Sequence, residues 1–163
     1  MRPHAPAELT RAHGLFPPDV VEAARRLVPH LRFDTDADSV DGSPSFELRW
    51  VSAGRYTNAR LEAALRPTVE SRVLPHVRAA MGDPNLVLCE ALVRVYRDGQ
   101  RLAHPAHFDS DALATAVVEL EGSFEGPGFF IQHGAHVDSR LPIRMDPGDL
   151  VTHSFDLQHG VSV

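Results

Sequence analysis

The sequence predicts an α+β protein, with helices in the first half and a barrel or sandwich of short strands in the second. Three observations point there. Apolar residues recur at helical spacing over residues 20–31 and again over residues 61–80. From residue 86 onward the pattern changes to short β-prone runs punctuated by Gly- and Pro-containing turns. The length of 163 residues, with 43% hydrophobic and 23% charged residues, is that of one soluble domain with a real core, and no repeat, low-complexity stretch or linker divides it.

Residues 1–16 are polar and Pro-containing and are expected to be loosely ordered. Phe16-Pro17-Pro18-Asp19 opens the first helix, because proline suits a first turn whose N–H groups have no partners anyway. Val20, Val21, Ala24, Leu27 and Leu31 form its apolar stripe. Asp19 and Glu22 come early and Arg25, Arg26 and Arg32 late, as the helix dipole favours. Residues 34–45 are acidic and turn-rich. Asp34, Asp36 and Asp38 alternate as at the start of a calcium loop, but the sixth-position Gly and the closing Glu are missing, so a solvated loop is expected. Phe46-Glu47-Leu48-Arg49-Trp50-Val51 alternates as a strand does. A second helix is expected over residues 58–81, with Leu61, Leu65, Val69, Val73, Leu74, Val77 and Ala80 on its apolar side and Pro67 and Pro75 as breaks or kinks. Strands are expected over residues 86–96, 113–120, 128–132, 150–155 and 158–163, with Asp98-Gly99, Gly126-Pro127-Gly128 and Pro147-Gly148 among the turns.

Composition narrows the function. A formal net charge of −6 and a pI near 5.9 argue against nucleic acid as the main partner, since phosphate binding needs a basic face. No apolar run approaches the length of a membrane span, and the first six residues lack the apolar segment of a secretory signal. An intracellular, cytoplasmic protein without membrane or nucleic-acid partners is expected. The lone Cys89 excludes an internal disulfide, and in Leu86-Val87-Leu88-Cys89 it reads as a small buried hydrophobe. Of the ten His, His4, His13, His30 and His76 sit in polar or helical context and read as solvent-facing or packed.

The chemistry lies in His107-Phe108-Asp109. In an extended strand, side chains at i and i+2 leave one face, so an imidazole and a carboxylate are offered to one point. A second His would complete two imidazoles and one carboxylate, the facial set of non-haem Fe(II) oxygenases, which leaves coordination positions open. His159 is the candidate, fifty residues after Asp109, with room for several strands between. A rival triplet, His136-Val137-Asp138, follows Gly134 in a loop-like region, and with His133 it reads as surface. Two substitutes are weighed. His104 is three residues from His107 and should face the opposite way in a strand. His153 would share a face with His159 if residues 150–159 were one strand, and parity alone does not separate the two.

At these residues the second half of the chain resembles the 2-oxoglutarate- and Fe(II)-dependent dioxygenases, particularly the prolyl 4-hydroxylase-like branch. Tyr96-Arg97-Asp98-Gly99 is similar to that family's tyrosine–turn–glycine lead-in, His107-Phe108-Asp109 to its His-x-Asp, and residues 115–120 to the following core strand. Phe124-Glu125-Gly126-Pro127-Gly128 resembles its Phe-x-Gly-Gly turn, with Pro127 in place of the second Gly. Pro147-Gly148-Asp149 and His159-Gly160-Val161 resemble the last strands, which favours His159 over His153 as the distal ligand.

The resemblance implies a double-stranded β-helix, or jelly roll, over residues 86–163, with residues 1–85 as helical support, in one domain. It implies Fe(II) on His107, Asp109 and His159, 2-oxoglutarate as cosubstrate with Tyr96 contacting it, O2 as oxidant and ascorbate as an accessory reductant. The substrate would be a prolyl-like peptide or a small molecule, hydroxylated at a C–H bond. One departure bears on activity. The family places an Arg or Lys about one strand after the distal His to pair with the far carboxylate of 2-oxoglutarate, whereas this sequence runs to Val163, four residues past His159. Three alternatives follow: a shortened product or fragment that lacks the last core strand, Arg140 or Arg144 in place of the basic anchor, although both read more readily as solvated loop residues, or metal binding without oxidation. The competing reading is a shortened, non-catalytic jelly-roll module that binds metal or a partner. A zinc-type hydrolase on the same ligands is weaker, because no general base stands out.

Overall fold

The structure is a computed structural model in which residues 9–163 are described. Residues 1–8, including His4 and the stretch tested for a secretory signal, lie outside them. The chain enters the core at once. β1 (Leu9–Ala12) pairs antiparallel with β9 (Leu150–Ser154), which pairs in turn with β6 (Ala114–Val118). The segment expected to be loose is therefore a strand at its end nearest the first helix. Polarity misled there: Leu9 packs inward, while Arg11, His13 and the Gly14 N–H all bond the carboxylate of Asp149 at 2.8–3.1 Å.

A second antiparallel sheet follows the order β5 (Ala103–His107), β10 (His159–Ser162), β7 (Gly128–Gln132), β8 (Arg140–Pro142). The two sheets face each other. Val117 of β6 and Val151 of β9 meet Phe129, Ile131 and Val161 of the second sheet, with Leu157 closing the set. A third sheet, β3 (Arg55–Tyr56), β2 (Glu47–Ser52), β4 (Ala91–Arg94), adds Trp50, Val51 and Val93 to the helical core. β6 ends its own sheet on the side away from β9.

The helices cover the outer face of the first sheet. α1 (Pro18–Leu27) ends in one short turn over Val28–His30, and its Val21 and Ala24 are buried. The second helical segment runs on through Pro67 as α2 (Ala59–Thr68), then widens into a π turn at Val69–Val73 and continues as α3 (Leu74–Met81). The Leu74 N–H reaches back to the Val69 carbonyl, five residues away, just before Pro75, which has no N–H to give. Leu61, Leu65, Val69, Val73 and Val77 stay on the buried side, packed with Leu150, Ala114, Ala116 and Val118.

Three expectations are corrected. Cys89 is exposed: Leu86 and Leu88 pack inward while Val87 and Cys89 point out, and regular pairing starts only at Ala91. The strand expected over residues 86–96 is thus short. The acidic loop is not simply solvated. It closes on itself through Asp38 N–H to Ser43 O and Val40 N–H to Asp38 Oδ1, and the Asp38 side chain is 5% exposed, 3.2 Å from Arg101 and His104 and 3.5 Å from Arg94. Spacing alone could not show that two arginines and a histidine would meet it.

Asp149 ties the first sheet together. Burial by itself would raise its pKa, but bonds from Arg11, Gly14 N–H and Asp146 N–H outweigh that and hold it at about 2. A carboxylate with a depressed native pKa adds stability that is fully present above the unfolded value of about 3.9 and is lost as pH falls toward the native one. Asp149→Asn should therefore lower stability at neutral pH by about 2 kcal/mol. Urea unfolding over a pH series should also show the wild-type advantage shrinking between about pH 4 and pH 2.

Candidate metal centre

The structure brings His107, Asp109 and His159 to one place. Their nearest donor atoms lie within 4.8 Å of one another, and among the described residues no other group of metal-type donors does this. Local structure explains it. His107 ends β5, and the chain stays extended for two more residues, so Phe108 turns out to solvent at 55% exposure while His107 and Asp109 turn in. His159 opens β10 directly opposite His107 in the antiparallel register. The distal imidazole is thus the cross-strand neighbour of the first.

Close approach needs the next residue to be glycine. A Cβ on Gly160 would stand 2.5 Å from the Phe130 ring and 2.6 Å from the His104 carbonyl oxygen, so only a bare Cα lets β10 lie between β5 and β7.

Each imidazole is oriented from behind. His107 Nδ1 is 2.8 Å from the Pro105 carbonyl oxygen and His159 Nδ1 is 3.1 Å from that of Leu157. A carbonyl only accepts, so both Nδ1 atoms carry a proton; His159 Nε2 presents a lone pair inward, and His107 Nε2 does so once it has lost the proton it gives to Asp109 in the protonated ring. His107 Nε2 is 3.3 Å from Asp109 Oδ1, and His159 Nε2 is 3.6 Å from Oδ2. Thr115 Oγ1, on β6 of the facing sheet, donates to Asp109 Oδ2 at 2.5 Å. That bond occupies one carboxylate oxygen and leaves Oδ1 for a ligand.

The charge states suit a cation. Burial alone would raise the pKa of Asp109, but the bonds from His107 and Thr115 and the nearby His159 and His153 rings hold it well below the usual carboxylate range. Burial pushes His159 down to about 4, so it is neutral at physiological pH. His107 is also partly buried, yet the Asp109 carboxylate and the Pro105 carbonyl raise its pKa above the ordinary imidazole value. One fixed negative charge and two lone pairs, with Phe129 stacked 5.6 Å from His159, form a set that a divalent metal fits.

Both substitute histidines also come close, for reasons spacing does not reveal. Between His107 and His104 the register with β10 slips by one residue, a β-bulge, so the two rings sit on the same side with centroids 4.1 Å apart. His104 does not face away as expected; it contacts Arg94 and Asp38. His153 and His159 are not on one strand, because a turn at Phe155 and Asp156, closed by the Leu157 N–H on the Ser154 carbonyl, moves the chain from one sheet to the other. The sheets face each other, so the two rings still meet, with centroids 4.0 Å apart.

His133, His136 and Asp138 are exposed, as expected. Arg140 stacks over Phe130 and donates to Gln132, and Arg144 is exposed beside Met145; neither is among the partners of the three donors. Tyr96 is half-buried and hydrogen-bonded to Arg94, and burial raises its pKa. Arg94 in turn contacts His104, the ring beside His107. A cleft of about 230 Å³ opens next to Asp109, lined by Ser110, Asp111, Ala112, Leu113 and Phe155.

No protein-family model matches the sequence. No curated protein matches it either. Solved structures do match in fold. One is an oxidoreductase of the 2OG-Fe(II) oxygenase family from Burkholderia pseudomallei, with a TM-score of 0.70 at 17% identity over 96% of this chain and 78% of the other. Another is a prolyl-4-hydroxylase from Pseudomonas putida, with a TM-score of 0.61 at 15% identity over 94% of this chain and 84% of the other. The chain has the fold of the 2OG-Fe(II) oxygenases. The resemblance carried by the His-x-Asp and distal His motifs thus holds at the level of fold. No helix of this 2OG-Fe(II) oxygenase fold is long and apolar enough to cross a membrane among the described residues.

Thr115 tests whether the carboxylate is held for a metal. Thr115→Val keeps the shape and removes the donor to Asp109. Co(II) affinity, measured by anaerobic titration, should fall about 10-fold or more while the melting temperature changes little.

Proposed function

We propose that this chain is an Fe(II)- and 2-oxoglutarate-dependent dioxygenase that hydroxylates a C–H bond of a peptide, prolyl-like, or of a small molecule. The observation that carries this reading is the convergence of two Nε2 lone pairs and one ionised carboxylate within 4.8 Å, in the fold of the 2OG-Fe(II) oxygenases. His107, Asp109 and His159 would hold Fe(II), leaving three positions on a six-coordinate ion. When bound, Fe(II) with 2-oxoglutarate and O2 supplies the oxidising power, giving succinate, CO2 and the hydroxylated product.

The chain's own residues do the rest. Thr115 fixes the carboxylate, and the Pro105 and Leu157 carbonyls fix the imidazole tautomers. Phe129 and Ile131 keep the barrel interior dry. Tyr96 and Arg94, on the His104 side, are the groups we assign to the far carboxylate of the cosubstrate. The cleft at Leu113 and Phe155 would receive the substrate, with apolar walls and the Asp111 carboxylate at its edge. In this reading the 163 residues work as one domain, with the helices of the first half supporting a jelly roll from residue 86 on. It would act in the cytoplasm, where Fe(II) and 2-oxoglutarate are supplied.

A non-catalytic metal-holding module is the second reading, favoured by Arg140 and Arg144 standing away from the donors. Anaerobic titration with Fe(II) and then 2-oxoglutarate separates the two. The enzyme should develop a weak visible charge-transfer band on the second addition, and admitting O2 should yield succinate. His107→Ala and Asp109→Ala should each abolish both signals. Tight Fe(II) binding with no band and no succinate would overturn the dioxygenase reading and leave the module.

A further inference from the structure

Beside the metal centre lies a buried ion cluster that the three donors do not use. Arg94, Arg101 and His104 gather around one carboxylate, that of Asp38. Asp38 does not belong to the barrel. It comes from the loop of residues 34–45 that precedes β2. The base of that loop is fixed, with the Asp34 N–H on the Glu47 carbonyl at 2.8 Å and the Ser45 N–H on the Asp36 carbonyl at 3.0 Å. The tip reaches the barrel through Asp38 and through Asp41, which accepts from Arg101 at 3.0 Å.

The carboxylate fits its partners poorly. Asp38 Oδ1 turns back to accept from the Val40 N–H of its own loop at 2.8 Å. Oδ2 alone faces three donors: Arg101 Nη1 and His104 Nε2 at 3.2 Å and Arg94 Nη2 at 3.5 Å. Arg94 donates to His104 Nδ1, and a guanidinium only donates, so the His104 proton is on Nε2 and faces Asp38. Yet Arg101 Nη1 and His104 Nε2 are both buried without an aligned hydrogen bond to any described residue. Two guanidiniums that meet a single oxygen forgo the paired geometry in which arginine binds a carboxylate best. A carboxylate with both oxygens free would satisfy them better. Arg94 is already held from behind for such a partner, by Glu47 at 2.7 Å and by Tyr96.

Position matters as much as fit. The His104 ring lies against the His107 ring, with centroids 4.1 Å apart. An acid with a carboxylate at each end can therefore rest one end at the metal centre and the other on the arginines. We propose that Asp38 is a built-in stand-in for that second carboxylate: Arg94 and Arg101 hold Asp38 while the loop is shut, and hold the far end of a dicarboxylic acid once the acid displaces it. The inference rests on the dioxygenase reading for the identity of the acid, 2-oxoglutarate, and adds Arg101 and the loop to it. The loop tip is a latch that opens as the acid enters. While shut it fills the subsite, and the apparent affinity for the acid falls with the fraction of molecules that are shut.

Hydrogen exchange reads the latch, because a loop with few bonds of its own exchanges faster once its ion pairs are released. Amide exchange is followed by mass spectrometry on the full chain in two arms. One arm is anaerobic with Fe(II) and 2-oxoglutarate. The other is metal-free with glutarate, which has both carboxylates but no keto group to bind a metal. In both arms residues 38–43 should exchange about 5-fold faster or more with the acid than without it, while the loop base at Asp34 and Ser45 stays unchanged. Asp38→Asn should lower the apparent Kd for 2-oxoglutarate about 10-fold or more. Glu47→Gln removes an equal charge from beside Arg94 without freeing the loop, so it should not reproduce that gain. Exchange that is unchanged or slower in both arms, or equal gains from the two variants, would overturn the latch. If the Fe(II) charge-transfer band forms while the loop stays protected, the dioxygenase reading survives and the latch fails. If glutarate frees the loop and no band forms, the latch stands and the dioxygenase reading falls.

Discussion

The register between β5 and β10 is the constraint on which the site depends. Because His107 and His159 face each other across one antiparallel pair, their rings are neighbours whatever the rest of the barrel does. A slip of one residue would turn His159 to the other face of its sheet and break the site outright. Two features pin the register. Gly160 lets β10 lie hard against Phe130 and the His104 carbonyl, and the bulge in β5 ends the regular ladder just beyond His107. The carboxylate is then drawn in by a bond from a different sheet, Thr115 on β6. The centre is thus a clamp between two sheets, and the packing of Val117 and Val151 on Phe129 and Ile131 keeps its jaws at a set distance.

Electrostatics follows from the same geometry. A buried carboxylate is tolerated because Thr115 and His107 bond it, and the neighbouring imidazoles are kept neutral by burial. On the other side of His107 the charges change hands. His104 lies against the His107 ring and carries the contact on to Arg94, Asp38 and Glu47. A buried ion cluster of this kind fixes the loop of residues 34–45 against the barrel, so the support region reaches the site by charge as well as by packing.

Much of this was legible in the residues, and the failures have physical causes. The helices announced themselves through apolar spacing, and strands 128–132 and 150–154 through short apolar runs between turn residues. The His-x-Asp pair was readable because a strand's period of two fixes which side chains share a face. The roles of His104 and His153 were not. One depends on a bulge, which shifts parity by one residue without a sequence signal; the other depends on two sheets facing each other, which no local pattern encodes. β1 and Asp38 were missed for one reason: a polar residue reads as exposed until its partner is known, and the partners lie at Asp149 and at Arg94 and Arg101, far along the chain.

Identity of 15–17% with TM-scores of 0.61–0.70 shows how little of the sequence the fold itself demands. Core positions need apolar bulk in the right periodicity, and many residues supply it, so they drift freely. A site cannot drift in that way. Donor type, tautomer and register must hold together, since replacing any one leaves the others buried without a partner. That asymmetry gives an unpaired buried group its weight. An imidazole such as His153, fully enclosed and aimed at the Asp109 carboxylate, destabilises an apolar barrel that Leu or Phe would fill well.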